Sequence, residues 1–176
     1  MFVYFINSIV LLLFSTMDLF NSAVHSDQLN WQIVDDVVMG GGSNGKFHID
    51  ENGHGVFEGI VSLENNGGFS SVRCRFNRKT IEKYSKAVLR VKGDGKNYQF
   101  RVKTTTAERH SYISIFQTDG TWQSIEIPFE QMYPAFRGRK LDMPNYKGKE
   151  IEEFAFLISN KKAESFTLVI DKISLH

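Results

Sequence analysis

From residue 46 onward, hydrophobic positions recur with a period of two, the spacing of a strand with one face in a core. Phe57, Gly59, Val61 and Leu63 share one face. Phe69 to Phe76 follows an Asn-Asn-Gly-Gly turn, and Ala87, Leu89 and Val91 alternate with Val88, Arg90 and Lys92. The cleanest run is Asn97 to Thr104, with Tyr98, Phe100 and Val102 facing in and Gln99, Arg101 and Lys103 facing out. Ile113 and Ile115 continue the inward pattern. Further strands are expected at Trp122–Ile127, stopped by Pro128, at Phe154–Ile158, and from Phe166 to near Leu175. Met17 to Phe20 reads as a first short strand. Turn residues separate the runs at Glu51-Asn52-Gly53, Asn66-Gly67-Gly68, Gly93-Asp94-Gly95 and Thr118-Asp119-Gly120. Many short strands at this spacing predict an all-β antiparallel sandwich. Only Thr80–Lys86 and Phe129–Phe136 have room for a helical turn, and Phe136 to Lys149 reads as a long surface loop.

Composition narrows the function classes. The 176 residues carry 15 phenylalanines, which suits an aromatic core, and a net charge of +1, which advertises no nucleic-acid partner. The basic stretches Arg73–Arg78 and Arg137–Lys140 read as solvated faces. The single cysteine, Cys74, excludes an internal disulfide and a cysteine metal cluster, and its strand context predicts a buried, inert thiol. Five histidines show no metal-ligand spacing, so neither a metal nor a cofactor is expected.

Residues 2–14 are apolar apart from Asn7 and Ser8. The run is short for a membrane span of about 20 residues. No Lys or Arg precedes residue 46, and the cleavage site near Ser22-Ala23 is poorly formed. Residues 1–16 are therefore set apart as a leader: an export signal, an anchor or a stretch upstream of a start at Met17. Residues 17–176 are expected to form one sandwich domain, and a cytoplasmic or membrane-associated location is favoured over export.

The candidate chemistry lies in loops. The run Asp35-Asp36-Val37-Val38-Met39-Gly40-Gly41-Gly42-Ser43 is answered by Asn65-Asn66-Gly67-Gly68-Phe69 and Gly93-Asp94-Gly95. Adjacent strand residues point to opposite faces, so Asp35 and Asp36 make a poor catalytic pair. Capping of the N–H groups of the glycine turn is the favoured role, and the chain is read as a non-enzyme. Arg137 and Arg139 can grip a carboxylate, with Asp94, Asp36 or Asp35 as internal partners or with a ligand outside. Trp31, Tyr133 and Tyr146 are the candidates for stacking on a sugar, with Tyr133 and Tyr146 placed in loops. The binding or loop-ordering set is Asp35, Asp36, Met39, Gly40, Gly41, Asn66, Gly67, Gly68, Asp94, Tyr98, Arg137 and Arg139.

Taken in order, Trp31 with VDDVVMGGGS, FEGIVSLENNGGFSSVR, LRVKGDGKNYQFRV, WQSIEIPFEQMYPAFRGR and FTLVIDKISL resembles the complex I intermediate-associated protein 30 family, over about residues 17 to 175. The family pattern often reads Met-Gly-Gly-Arg-Ser where this chain has Gly42, so a basic contact there does not carry over. The resemblance implies a galactose-binding-like jelly-roll sandwich. It also implies a chaperone-like role in assembling respiratory complex I, hence a protein partner such as a membrane-complex subunit, contacted through loops at one end. The alternative, on a fold shared with carbohydrate-binding modules, is a glycan in a loop groove.

Overall fold

A computed structural model describes residues 15–24 and 29–176. The apolar run at residues 2–14 lies outside the described residues. Thirteen strands occur among them: β1 (Met17–Asn21), β2 (Asn30–Asp35), β3 (Asn44–Ile49), β4 (Gly55–Val61), β5 (Ser70–Thr80), β6 (Lys86–Lys92), β7 (Asn97–Lys103), β8 (Ser111–Gln117), β9 (Trp122–Pro128), β10 (Tyr133–Phe136), β11 (Arg139–Lys140), β12 (Glu150–Ile158) and β13 (Glu164–Leu175). The helical content described is three 3-10 turns, Asp36–Met39, Glu64–Asn66 and Phe129–Gln131. The Thr80–Lys86 stretch is a turn without helix.

The strands form two antiparallel sheets. The first runs β3-β4-β13-β6-β9, with β1 also on β13, and the second runs β11-β10-β8-β7-β12-β5-β2. The twelve-residue β13 holds the first sheet together. Its first half pairs with β4, and its second half pairs with β1, from Lys172↔Asn21 to Leu175↔Met17. Leu19 and Phe20 are thereby buried, so the chain from Met17 onward is part of the folded sheet.

The alternating aromatics meet between the sheets, where burying each large apolar side chain contributes about 1.5–3 kcal/mol. Phe57, Tyr98, Phe100, Phe154 and Phe156 are fully buried. Phe57 packs on Phe166 at 4.7 Å and Phe100 on Phe156 at 5.5 Å between ring centroids. The inward side of β7 is as its pattern predicts, but that of β8 is not. Phe100 pairs with Ser114 and Val102 with Tyr112, so Tyr112, Ser114 and Phe116 face the core. Ile113 and Ile115 stand on the outer face, opposite Arg101 and Gln99. Side-chain size misleads here, because an edge-proximal strand can carry its isoleucines outward. Leu63 likewise lies beyond the end of β4 and is exposed.

The Phe136–Lys149 segment is less of an open loop than its composition suggests. Phe136 and Arg139 close a tight hairpin between β10 and β11. Beyond it, Tyr146 is buried, with its hydroxyl donating to the Glu150 carbonyl at 2.7 Å.

Candidate functional site

The acidic residues of the first glycine-rich run act on the backbone. Asp36 is fully buried. Its carboxylate accepts from Ser43 N at 3.0 Å, Ser43 Oγ at 2.5 Å, Gly68 N at 2.6 Å and Phe69 N at 3.2 Å. Burial alone would raise the Asp36 pKa, but the Ser43 hydroxyl and the Gly68, Ser43 and Phe69 amides together hold it below the ordinary carboxylate value. Asp35 accepts from Gly45 N at 2.8 Å and Ser70 Oγ at 2.6 Å. The two carboxylates, at the end of β2, thus staple the starts of β3 and β5 together. The glycines follow from that. A Cβ on Gly67 would stand 2.6 Å from Asp36 Oδ2, and one on Gly41 would collide with the same carboxylate. Gly40 ends the 3-10 turn in the left-handed region at φ 89°. Asn65 Nδ2 donates to its carbonyl at 2.9 Å, while Asn66 is exposed at φ 60°. Met39 closes the same turn, and its side chain lies outside the described residues.

Asp94 is a second staple. It accepts from Lys96 Nζ at 2.6 Å, Tyr98 Oη at 2.8 Å and Thr167 N at 3.0 Å, tying the β6–β7 turn to β13. Burial, and then the Asp94 carboxylate, push the Tyr98 phenol far above its ordinary value.

Arg137 and Arg139 are not brought to these acids. Asp35 meets Ser70, which pairs with Ile158 at one end of the second sheet. The β10–β11 hairpin springs from Ser111, at the other end, where Lys103 pairs with Glu153. The seven residues of β7 separate the two, about 20 Å of strand. The expected internal bridge from Arg137 to Asp94, Asp36 or Asp35 therefore does not form, and each acid already has other donors. Arg137 and Gly138 are both left-handed, at φ 49° and 75°, as a two-residue hairpin turn requires. Arg109 and Arg137 lie over the Phe136 ring, at 4.9 and 5.4 Å, and Lys140 lies over Tyr133 at 5.4 Å. None of Arg109, Arg137, Arg139 and Lys140 forms an ion pair with a carboxylate among the described residues.

The three sugar-stacking candidates separate as well. Trp31 stacks on Phe47 at 4.3 Å, edge-on to Phe20 and Phe154, inside the sandwich. Tyr146 is buried beside Tyr112 and Phe129. A tyrosine placed in a loop by its glycine and proline neighbours is here drawn inward by a carbonyl for its hydroxyl. Only Tyr133 stands on an outer surface, paired with Ile113. Trp122, at the start of its predicted strand, is paired with Lys92 on the outer side of the first sheet, with Arg90 over its ring at 5.5 Å.

Strand register assembles a surface that local loop chemistry does not suggest. Across the outer face of the second sheet runs one row: Tyr133, Ile113, Arg101, Ala155, Arg73 and Gln32. The next row carries Lys103, Glu153 and Arg75, with Arg75 Nε donating to Glu153 Oε2 at 2.7 Å. On the other side lie Ile115, Gln99, Leu157 and Ser71. Ala155, Leu157 and Ile113 are buried although they face outward, which places them beneath the longer side chains of their rows. Burial lowers the pKa values of Arg101, Arg73 and Lys103. Glu153 opposes that shift in all three, and Tyr133 does so more strongly in Arg101. The neighbouring cations reinforce it. The sequence signal was the paired alternation Arg73-x-Arg75 and Arg101-x-Lys103, which acquires meaning only when β12 is placed between β5 and β7.

Two antiparallel sheets with stapled loops at one end define a jelly-roll sandwich. Comparison with solved structures gives the same architecture. The family 11 carbohydrate-binding module of the Clostridium thermocellum cellulase Lic26A-Cel5E superposes with a TM-score of 0.63 at 15% identity, covering 92% of this chain and 94% of that one. The same module family in complex with a β-1,3-1,4-mixed-linked tetrasaccharide gives 0.61 at 15% identity, covering 90% and 94%. By sequence, the chain belongs to the Complex I intermediate-associated protein 30 family, whose profile matches residues 19–170. The mitochondrial Complex I intermediate-associated protein 30 of Drosophila melanogaster is 24% identical over 170 residues, 82% of this chain. The match spans 57% of that relative's length.

Proposed function

We propose that this chain is a non-enzymatic assembly-factor-like domain that holds a protein partner, a subunit of a membrane respiratory complex, on the outer face of its second sheet and the adjoining β10–β11 hairpin. Family membership supports the class of function. The observation that carries the location is the division of polar groups. The loop acids Asp35, Asp36 and Asp94 are consumed by internal donors. The cations of the hairpin, by contrast, have no carboxylate partners among the described residues. Exposed Ile115 adds apolar contact on the same face.

The test is affinity capture from gently solubilised native cells with mass spectrometry of the bound proteins. The unaltered chain should enrich membrane-complex subunits, and the Arg137→Ala/Arg139→Ala pair should lose most of that enrichment while melting at the same temperature. Full retention in the pair would exclude the hairpin from the contact.

A second reading is a glycan site on the same face. It is favoured by Tyr133 standing in the outer row and by the tetrasaccharide-bound structural relative. Titration with a mixed-linked tetrasaccharide tests it, and a Tyr133→Ala variant should then lose the binding.

A further inference from the structure

We propose that Arg101 and Arg73, astride Ala155 on the outer face of the second sheet, form a clamp for a carboxylate, and that its occupant is an aspartate or glutamate side chain in an acidic segment of the protein partner. The proposal rests on the partner-binding reading above and names the chemistry of that partner.

The register supplies the geometry. Ala155 pairs with Arg101 on one side and Arg73 on the other, so the two arginines are two strands apart with a methyl group between them. Strands lie about 4.8 Å apart, which sets the two Cα atoms roughly 10 Å apart. From that separation the two side chains are long enough to reach a single carboxylate. A larger residue at 155 would fill the gap.

The charges supply the demand. Glu153 is taken up by Arg75 at 2.7 Å. Neither Arg101 nor Arg73 forms an ion pair with a carboxylate among the described residues. Two partly buried guanidinium groups are thus set side by side with less than their complement of negative charge. Arg101 Nε is buried and has no hydrogen-bond partner. Buried donors of this kind are rare in folded proteins, and each calls for an explanation. A carboxylate offers two coplanar acceptors that match the guanidinium fork, including its Nε edge. A neutral hydroxyl cannot offset two cations. Exposed Ile115 lies one row away, so an acidic residue with an apolar neighbour suits the face better than a bare anion.

The test uses the full chain, labelled with nitrogen-15, and follows its arginine Nε–Hε resonances. The probe is a blocked octapeptide of alternating glutamate and glycine, and the control is its glutamine counterpart. The Arg101 and Arg73 resonances should shift saturably with the glutamate peptide and stay in place with the glutamine one. Arg101→Ala and Arg73→Ala should each weaken binding by about tenfold or more. Arg101→Lys should recover only part of it, since the ammonium has no fork. Arg78→Ala, outside the clamp, should bind as the unaltered chain does. Matching spectra of Arg101→Lys and the unaltered chain away from the site guard against misfolding as the cause. Equal binding of both peptides, or resonances that move with a mixed-linked tetrasaccharide but not with the glutamate peptide, would overturn the clamp. Loss of the clamp with partner capture intact would leave the partner-binding reading standing. A working clamp in a chain that captures no partner would count against that reading instead.

Discussion

At the scale of single residues, the carboxylates of Asp35, Asp36 and Asp94 serve the backbone. Asp36 takes four hydrogen bonds inside a fully buried site. Replacing it with alanine strands buried donors, so Asp36→Ala should lower the unfolding free energy in urea by about 3 kcal/mol. The sign of the pH effect follows from its depressed pKa. The carboxylate stabilises the fold above its unfolded value near 4, and that contribution disappears as pH falls through the lower folded value. Urea midpoints should therefore drop below about pH 4, and less steeply in Asp36→Asn. Gly67→Ala should also destabilise, because the new methyl meets Asp36 Oδ2. Cys74 behaves as its strand context predicts. It is buried, and burial pushes its thiol up to about 12, with Glu153 adding to the shift. A thiol reagent at pH 8 should label it only after unfolding, and labelling of the native chain would contradict its placement.

At the scale of elements, the strands were legible and some of their faces were not. Period-two alternation located β4 through β9 and both C-terminal strands, because half-buried strands must alternate. It failed on β8, where isoleucines at 113 and 115 lie outward, since hydrophobicity marks preference and not direction. The short first strand was visible at Met17–Phe20, but its partner was not, because pairing β1 with β13 joins opposite ends of the chain. That pairing makes a prediction. Compared with a chain starting at Met17, one starting at Val24 loses the buried Leu19 and Phe20, worth about 3–6 kcal/mol together. Equal melting of the two shortened chains would contradict the role of β1. Tyr98→Phe should cost about 1 kcal/mol, by removing the hydroxyl that Asp94 accepts.

At the scale of the whole molecule, the candidate residues divide in a way no linear pattern contains. The acids and the Arg137–Arg139 hairpin look like natural partners in the sequence, yet β7 holds them at opposite ends of one sheet. Loop composition revealed where the chain turns and which carboxylates order it. It could not reveal that residues 73, 101, 133 and 155 share a row, because that depends on strand order across long separations. The family was legible from motifs that turn out to be largely architectural: the glycines and aspartates that hold the sandwich closed. The surface proposed for a partner draws on the same motifs through Arg73, Arg101, Tyr133, Arg137 and Arg139, and on Ile115 outside them.

The most direct test of that surface places a photo-cross-linking amino acid at Ile115 and, separately, at Ile60, in the full chain in native cells. The two positions are similarly exposed, at 56% and 60%, on the outer faces of opposite sheets. The account predicts cross-links to membrane-complex subunits from position 115 and not from position 60. Cross-links to those subunits from position 60 alone would place the partner on the first sheet and contradict it.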